Sequence, residues 1–264
     1  MERYLPGVDA YSSSKRFPGS YGDTPAGVDL TANYEAAVTL RPEPTDKLKK
    51  RYGSLFGALL HAIKWRPEIS AALGLCGTCL TICTEELYAN LERVLVYLAH
   101  TKKIGTTFSA HTDGAKKLRA YVDATWTTTR STTGFVIMLA GGAIAHTSRC
   151  QHCISMSTGE AELIALADCA IKLLYIIGLL RFLGYEIDEA IEVYTDSKVA
   201  YDFCHRFNSA QNSRHIDRKL FKMRELRGLG VVTVAHVPTA ENPADLFAKS
   251  IERCAAARAT AGAH

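Results

Sequence analysis

No stretch of this sequence stays apolar for the roughly 18 residues that a membrane-spanning helix needs. The nearest approach, Ala161–Leu183, is interrupted by Glu162, Asp168, Lys172 and Arg181, so a buried core helix is expected there and no membrane span. The opening residues, MERYLPGVDAY, contain no apolar h-region of a secretory signal, and the expected location is cytoplasmic or nuclear. Neither charge sign dominates: 31 Lys and Arg face 27 Asp and Glu, a net +4 that permits a polyanionic partner without demanding one. The basic residues do cluster locally, at 47–51, 102–103, 116–119 and between Arg214 and Arg227. Apolar residues are not scarce. At 47% of 264 they exclude disorder over the whole length and allow one large domain or two small ones.

The eight cysteines do not form the disulfide framework of a small secreted domain. Cys76, Cys79 and Cys83 share one face of a helical pattern, where they read as small hydrophobes. Cys150-Gln-His-Cys153, with His146 nearby, has the spacing of a zinc half-site, but no second half matches it.

Turn residues recur without a period through residues 1–45, which read as a loosely structured leader. Residues 46–103 then read as a small helical segment. Leu48, Tyr52, Leu55, Leu59 and Ile63 recur at helical spacing, Pro67-Glu68 starts a second helix, and Thr84-Glu85-Glu86 starts a third. After Gly105 the period changes to two, and GTTFSAH, LRAYVDATW, TTGFVIMLAGG and AIAHTSR read as strands, the turn lying at Gly141-Gly142 and HCISM continuing the meander. A long apolar helix follows over about 159–183, then strand EAIEVYTDS, helices 198–207 and 214–228, strand VVTVAHVP and a last helix, Pro243–Arg253. A meander followed by alternating helices and strands predicts an α/β fold: a mixed sheet with helices packed on it, over residues 104–253, with 254–264 as a flexible tail.

Three acids occupy positions that a core would normally deny them. Asp123 interrupts an apolar strand, Asp196 ends another, and Glu162 opens a helix that is apolar nearly all round. Buried carboxylates are costly unless paired or bound to a cation. Asp196-Ser197 also has a plainer reading as the cap of the helix beginning at Lys198. Converging carboxylates suit hard divalent ions, and a pair of such ions suits in-line phosphodiester hydrolysis.

The stretches YVDATW, RSTTGFVIMLAGGAIAHTSRCQ, STGEAELIALADCA, VYTDSKVA, SRHID and HVPTAENPADLFAKS, in this order, resemble the ribonuclease H domain of copia-type LTR retrotransposon Pol polyproteins. Upstream, YGSLFGALLHAIKWRPEIS and ERVLVYLAHTKKIG resemble the segment joining reverse transcriptase to ribonuclease H in those polyproteins, so the resemblance spans about residues 45–252. It implies a ribonuclease H-like fold, a five-stranded mixed sheet flanked by helices. It also implies an endonuclease that cuts the RNA strand of RNA–DNA hybrids with two Mg²⁺ ions, Mn²⁺ being a substitute. The implied ligands and catalytic groups are Asp123, Glu162, Asp196 and Asp245. Glu160 is a rival for Glu162; residues two apart on a helix point about 200° away from each other, so both cannot serve one ion. The apolar run LIAL after Glu162 favours Glu162. Arg130, Ser197, Arg214 and His215 are the implied contacts to nucleic acid.

Two departures stand out. Thr125 replaces an acid usual in the family, and Gly159 is inserted ahead of Glu160. No Tyr-x-Asp-Asp type polymerase stretch occurs, so the expected product is a reverse transcriptase polyprotein fragment without the polymerase palm, the rest of that polyprotein being a partner. The alternatives are a non-catalytic nucleic-acid-binding module and an inactive retroelement remnant.

Overall fold

A computed structural model describes residues 24–109, 117–127, 130–187, 189–205 and 217–249. The chain divides into two compact units, one from the described residues up to Thr106 and one comprising Thr107–Lys249.

The first unit is helical: α1 (Leu30–Leu40), α2 (Asp46–Ala62), a 3₁₀ turn (Pro67–Ile69), α3 (Ser70–Thr78) and α4 (Glu85–His100). Thr45 and Thr84 cap α2 and α4, their hydroxyls accepting from the N–H groups of Leu48 and Leu87. Leu48, Tyr52 and Leu59 of α2 join Leu73, Leu87, Leu91 and Val94 in one core. Cys76, Cys79 and Cys83 are buried in it outside any disulfide, and burial pushes the Cys76 thiol up to about 12. Helix α1 corrects the expectation of a loose leader through residue 45. Among its side chains Leu30 and Ala37 are the buried ones, and contact this narrow leaves no legible apolar period. Its polar anchoring is tertiary: Asn33 donates to Asn90 at 3.1 Å.

The second unit holds β1 (Arg119–Thr125), β2 (Thr132–Leu139), β3 (Gly142–Cys150), α5 (Thr158–Phe182), β4 (Ile191–Thr195), α6 (Lys198–His205), α7 (Asp217–Gly228), β5 (Val232–His236), a 3₁₀ turn (Thr239–Glu241) and α8 (Asp245–Ala248). The sheet order is β3-β2-β1-β4-β5. The β1–β2 and β2–β3 pairs are antiparallel, while β1–β4 and β4–β5 are parallel. This is the five-stranded mixed sheet flanked by helices that the resemblance implies. Its core joins Ala120, Val122 and Ala124 of β1 to Ala161, Ala165, Leu166, Cys169 and Leu173 of α5. By length and composition alone α5 is apolar enough to cross a membrane, but 56% of its apolar window is buried inside the unit.

Four local expectations are corrected. Residues 105–109 form no strand; one bond, from Ser109 N–H to Ala140 O at 2.8 Å, ties them to the β2–β3 turn. That turn lies at Ala140-Gly141, both with positive φ, one residue before the expected Gly-Gly pair. Residues 152–156 are loop, and the last helix is a single turn, because Lys249 after it is extended.

Candidate metal centre

Alternation along β1 decides which side each residue serves. Ala120, Val122 and Ala124 face α5, so Asp123 faces the other way, with Thr125. On that face the Thr125 hydroxyl donates to Ala248 O at 2.8 Å and so fixes α8 against β1. The parallel register pairs Val122 with Thr195, and the next residues along the two strands are Asp123 and Asp196. Glu162 comes from the first turns of α5 and accepts the Ala124 N–H at 3.3 Å. Asp123, Glu162 and Asp196 each thereby offer a carboxylate oxygen, all within 4.8 Å of one another. Cys150, Cys153 and His146 form no such group among the described residues.

The helix that delivers Glu162 is held from below by a buried polar network. The Gln151 amide donates to Thr133 Oγ1 and Ala161 O; the Ser155 hydroxyl donates to Gln151 Oε1 and can then accept from the Ser131 hydroxyl, 2.7 Å away. Ser157 caps α5 by accepting the Glu160 N–H, while Glu160 reaches back to accept the Met156 N–H at 2.7 Å. That reciprocal pair is close to a capping box. Glu160 is therefore occupied with the helix start, and Glu162 is the acid that reaches β1.

Asp245, on α8, stands outside the three-oxygen group. It is connected through Lys249, whose ammonium pairs with Asp245 and lies 3.4 Å from Asp123 Oδ2. Asn242 also serves this end: its amide donates to Val122 O at 3.0 Å and lies 3.5 Å from Asp196 Oδ1. Asn242 and Lys249 were not singled out in the sequence; the i, i+4 spacing of Asp245 and Lys249 was the legible signal. Ser197 caps α6 by accepting the Ala200 N–H, and Arg130 lies exposed before β2. Arg214 and His215 lie outside the described residues.

Asp123 is 2% exposed and Glu162 4%, and Asp123 Oδ2 and Glu162 Oε2 have no hydrogen-bond partner among the described residues. Burial pushes the Asp123 carboxyl well up; Lys249 opposes this, and Asp196 and Asp245 add to it. Burial pushes Glu162 up as well, with Asp123 and Asp196 adding to it. Orphaned, buried, hard oxygen donors fit a divalent cation such as Mg²⁺.

A pH dependence follows. Both folded pKa values lie above their unfolded ones, so without metal this contribution to stability is fully present below the ordinary carboxylate range, about pH 4. It is lost as pH rises through the raised values. Divalent ions bind the ionised form, so the rise in Tm on adding Mg²⁺ should grow between about pH 5 and about pH 8. Thermal unfolding at both pH values, with Mg²⁺ or EDTA, checks this; a pH-independent Mg²⁺ effect contradicts it.

A mixed five-stranded sheet whose central strand carries a buried carboxylate toward others from a neighbouring strand and helix is a ribonuclease H-like architecture. No profile of a known protein family matches the chain. The chain is 30% identical over 237 residues to the retrovirus-related Pol polyprotein of transposon TNT 1-94 from Nicotiana tabacum, covering 87% of this chain and 17% of that protein. It is 29% identical over 227 residues to the corresponding polyprotein of transposon RE2 from Arabidopsis thaliana, covering 82% and 15%. Among solved structures, LC11-RNase H1 in complex with an RNA/DNA hybrid aligns at 19% identity over 50% of this chain and 93% of its own, with a TM-score of 0.39. Over most of its length the chain is thus similar to copia-type, retrovirus-related Pol polyproteins of plant transposons. It spans about a sixth of the length of those two relatives.

Proposed function

We propose that the Thr107–Lys249 unit is a metal-dependent ribonuclease H that hydrolyses the RNA strand of RNA–DNA hybrids. The observation that carries this reading is the convergence of Asp123, Glu162 and Asp196 at one end of the sheet, where Asp123 and Glu162 are buried and each has an oxygen without a hydrogen bond among the described residues. Together with Asp245 these residues would hold two Mg²⁺ ions, Mn²⁺ substituting. Such ions supply an activated water and charge stabilisation at the leaving oxygen. The protein's own part is positional. β1 and β4 fix two carboxylates by register, α5 brings the third, and α8 brings the fourth. Burial keeps bulk water from the oxygens of Asp123 and Glu162. The hybrid would be held by its backbone and 2′-hydroxyls, with no sequence readout, and Arg130, Ser197, Arg214 and His215 are the proposed contacts.

The test is cleavage of an end-labelled RNA–DNA hybrid by the full chain with Mg²⁺ or Mn²⁺, against single-stranded RNA, duplex DNA and an EDTA control. Metal-dependent cutting confined to the RNA strand of the hybrid is expected. A folded chain that binds the hybrid but never cuts it would leave a nucleic-acid-binding module instead. A subsidiary prediction separates the two glutamates. Glu160→Gln keeps an acceptor for the Met156 N–H and should cleave within a few-fold of wild type, whereas Glu162→Gln should lose on the order of 10²-fold or more. Equal losses in steady-state cleavage rate would remove the distinction.

A further inference from the structure

The Lys249 ammonium joins two carboxylates that belong to different parts of the centre. Asp123 is one of the three converging acids, and Asp245 is the acid outside that trio. Asp123 Oδ2 is buried and has no hydrogen-bond partner among the described residues, so the ammonium 3.4 Å away is a cation facing an otherwise uncompensated oxygen. An ion shared by Asp123 and Asp245 would need oxygens at about 2.1 Å. The ammonium lies between those same carboxylates, and the two cations cannot share the space.

The attachment of Lys249 allows it to leave. Its backbone directly follows α8, which is pinned by the Thr125–Ala248 hydrogen bond. Its side chain is 44% exposed, so the four-carbon stem reaches in from solvent and can withdraw without unpacking anything.

We propose that Lys249 is the resident cation of the second-ion position. The first divalent ion binds at Asp123, Glu162 and Asp196. The second binds between Asp123 and Asp245 only by displacing the ammonium. This rests on the two-ion reading above and adds an order of filling and a built-in competitor to it.

The experiment is a Mn²⁺ titration of the full chain at neutral pH, with free Mn²⁺ followed by electron paramagnetic resonance, for wild type, Lys249→Gln and Lys249→Arg. Wild type should bind one ion tightly and a second at least about tenfold more weakly. Loss of one positive charge a few ångströms away should tighten the second ion at least about tenfold in Lys249→Gln. Lys249→Arg keeps the charge and should stay close to wild type. A Lys249→Gln isotherm that superimposes on wild type overturns the role of Lys249 and leaves the three-carboxylate centre standing. If neither wild type nor Lys249→Gln binds Mn²⁺, the metal reading fails and this inference with it.

Discussion

Replacing Asp123 by asparagine should lower RNA cleavage on the order of 10³-fold or more and, in the absence of metal, make the chain more stable. The two effects have one cause. Asp123 lies at the centre of the acidic cluster, buried, with Lys249 at 3.4 Å as the cation facing its Oδ2 and with Asp196 and Asp245 opposing its charge. Asparagine has the same shape, so the packing of β1 against α8 is kept while the charge is removed. Relief of desolvation and like-charge repulsion should raise the stability of the metal-free chain at neutral pH by about 1–3 kcal/mol. Lys249 loses one partner but keeps Asp245, which limits the offset. The same substitution removes the acid common to the three-oxygen group and the Lys249 link. Metal-borne charge stabilisation is worth several kcal/mol of barrier, which sets the size of the activity loss. Single-turnover cleavage of a labelled hybrid and thermal unfolding in EDTA measure the two together. An acid that merely supported the strand would lose stability on substitution. A variant that is less stable and cuts at the wild-type rate would therefore sink the assignment.

The opposed effects also mark the boundary of what the sequence made legible. The helix start at Thr84 was readable because capping is local chemistry, complete within four residues. That Asp123 sits in an apolar strand and Asp196 ends another was readable for the same reason. Their convergence was not, because it depends on β1 pairing in parallel with β4 some 73 residues later, as in Arg119 with Glu192. The family resemblance supplied that pairing; periodicity did not. Residues 105–109 alternate as a strand does, but they join no ladder, and alternation without a ladder is not a strand. The long apolar helix was evident from its length. Being apolar nearly all round, it gave no sign of which face meets β1. Asn242 and Lys249 escaped notice because their partners, Val122 and Asp123, lie more than a hundred residues earlier.

Gly134 is where that long-range closure can be tested, and Gly134→Ala should cost about 10²-fold in cleavage for the addition of one methyl group. Gly134 pairs with Asp123 across the β1–β2 ladder. A Cβ there would stand 2.5 Å from Ala248 N and 2.7 Å from Phe247 C, both backbone atoms of α8. Its φ is not in the left-handed region, so the constraint is space and not conformation. A flexible side chain could swing aside, but a helix backbone cannot, so α8 must move off the sheet. Thr125 would lose its grip on Ala248 O, and Asp245 and Lys249 would shift with the turn that carries them. Overpacking of this kind costs about 1–3 kcal/mol of stability, and misplacing a reacting group by about 1 Å costs on the order of 10²-fold in rate. Asp123, Glu162 and Asp196 lie on β1, α5 and the end of β4, whereas the three atoms nearest the added methyl group all belong to α8. The tight Mn²⁺ ion should therefore bind Gly134→Ala as it binds wild type, while the weak one and the cleavage rate fall together. Urea unfolding, Mn²⁺ titration and hybrid cleavage on the same preparation separate these outcomes. Wild-type cleavage by the alanine variant would show that α8 is not held where the activity needs it. Loss of the tight ion as well would show that the three carboxylates depend on α8, contrary to the register that places two of them and the helix that places the third.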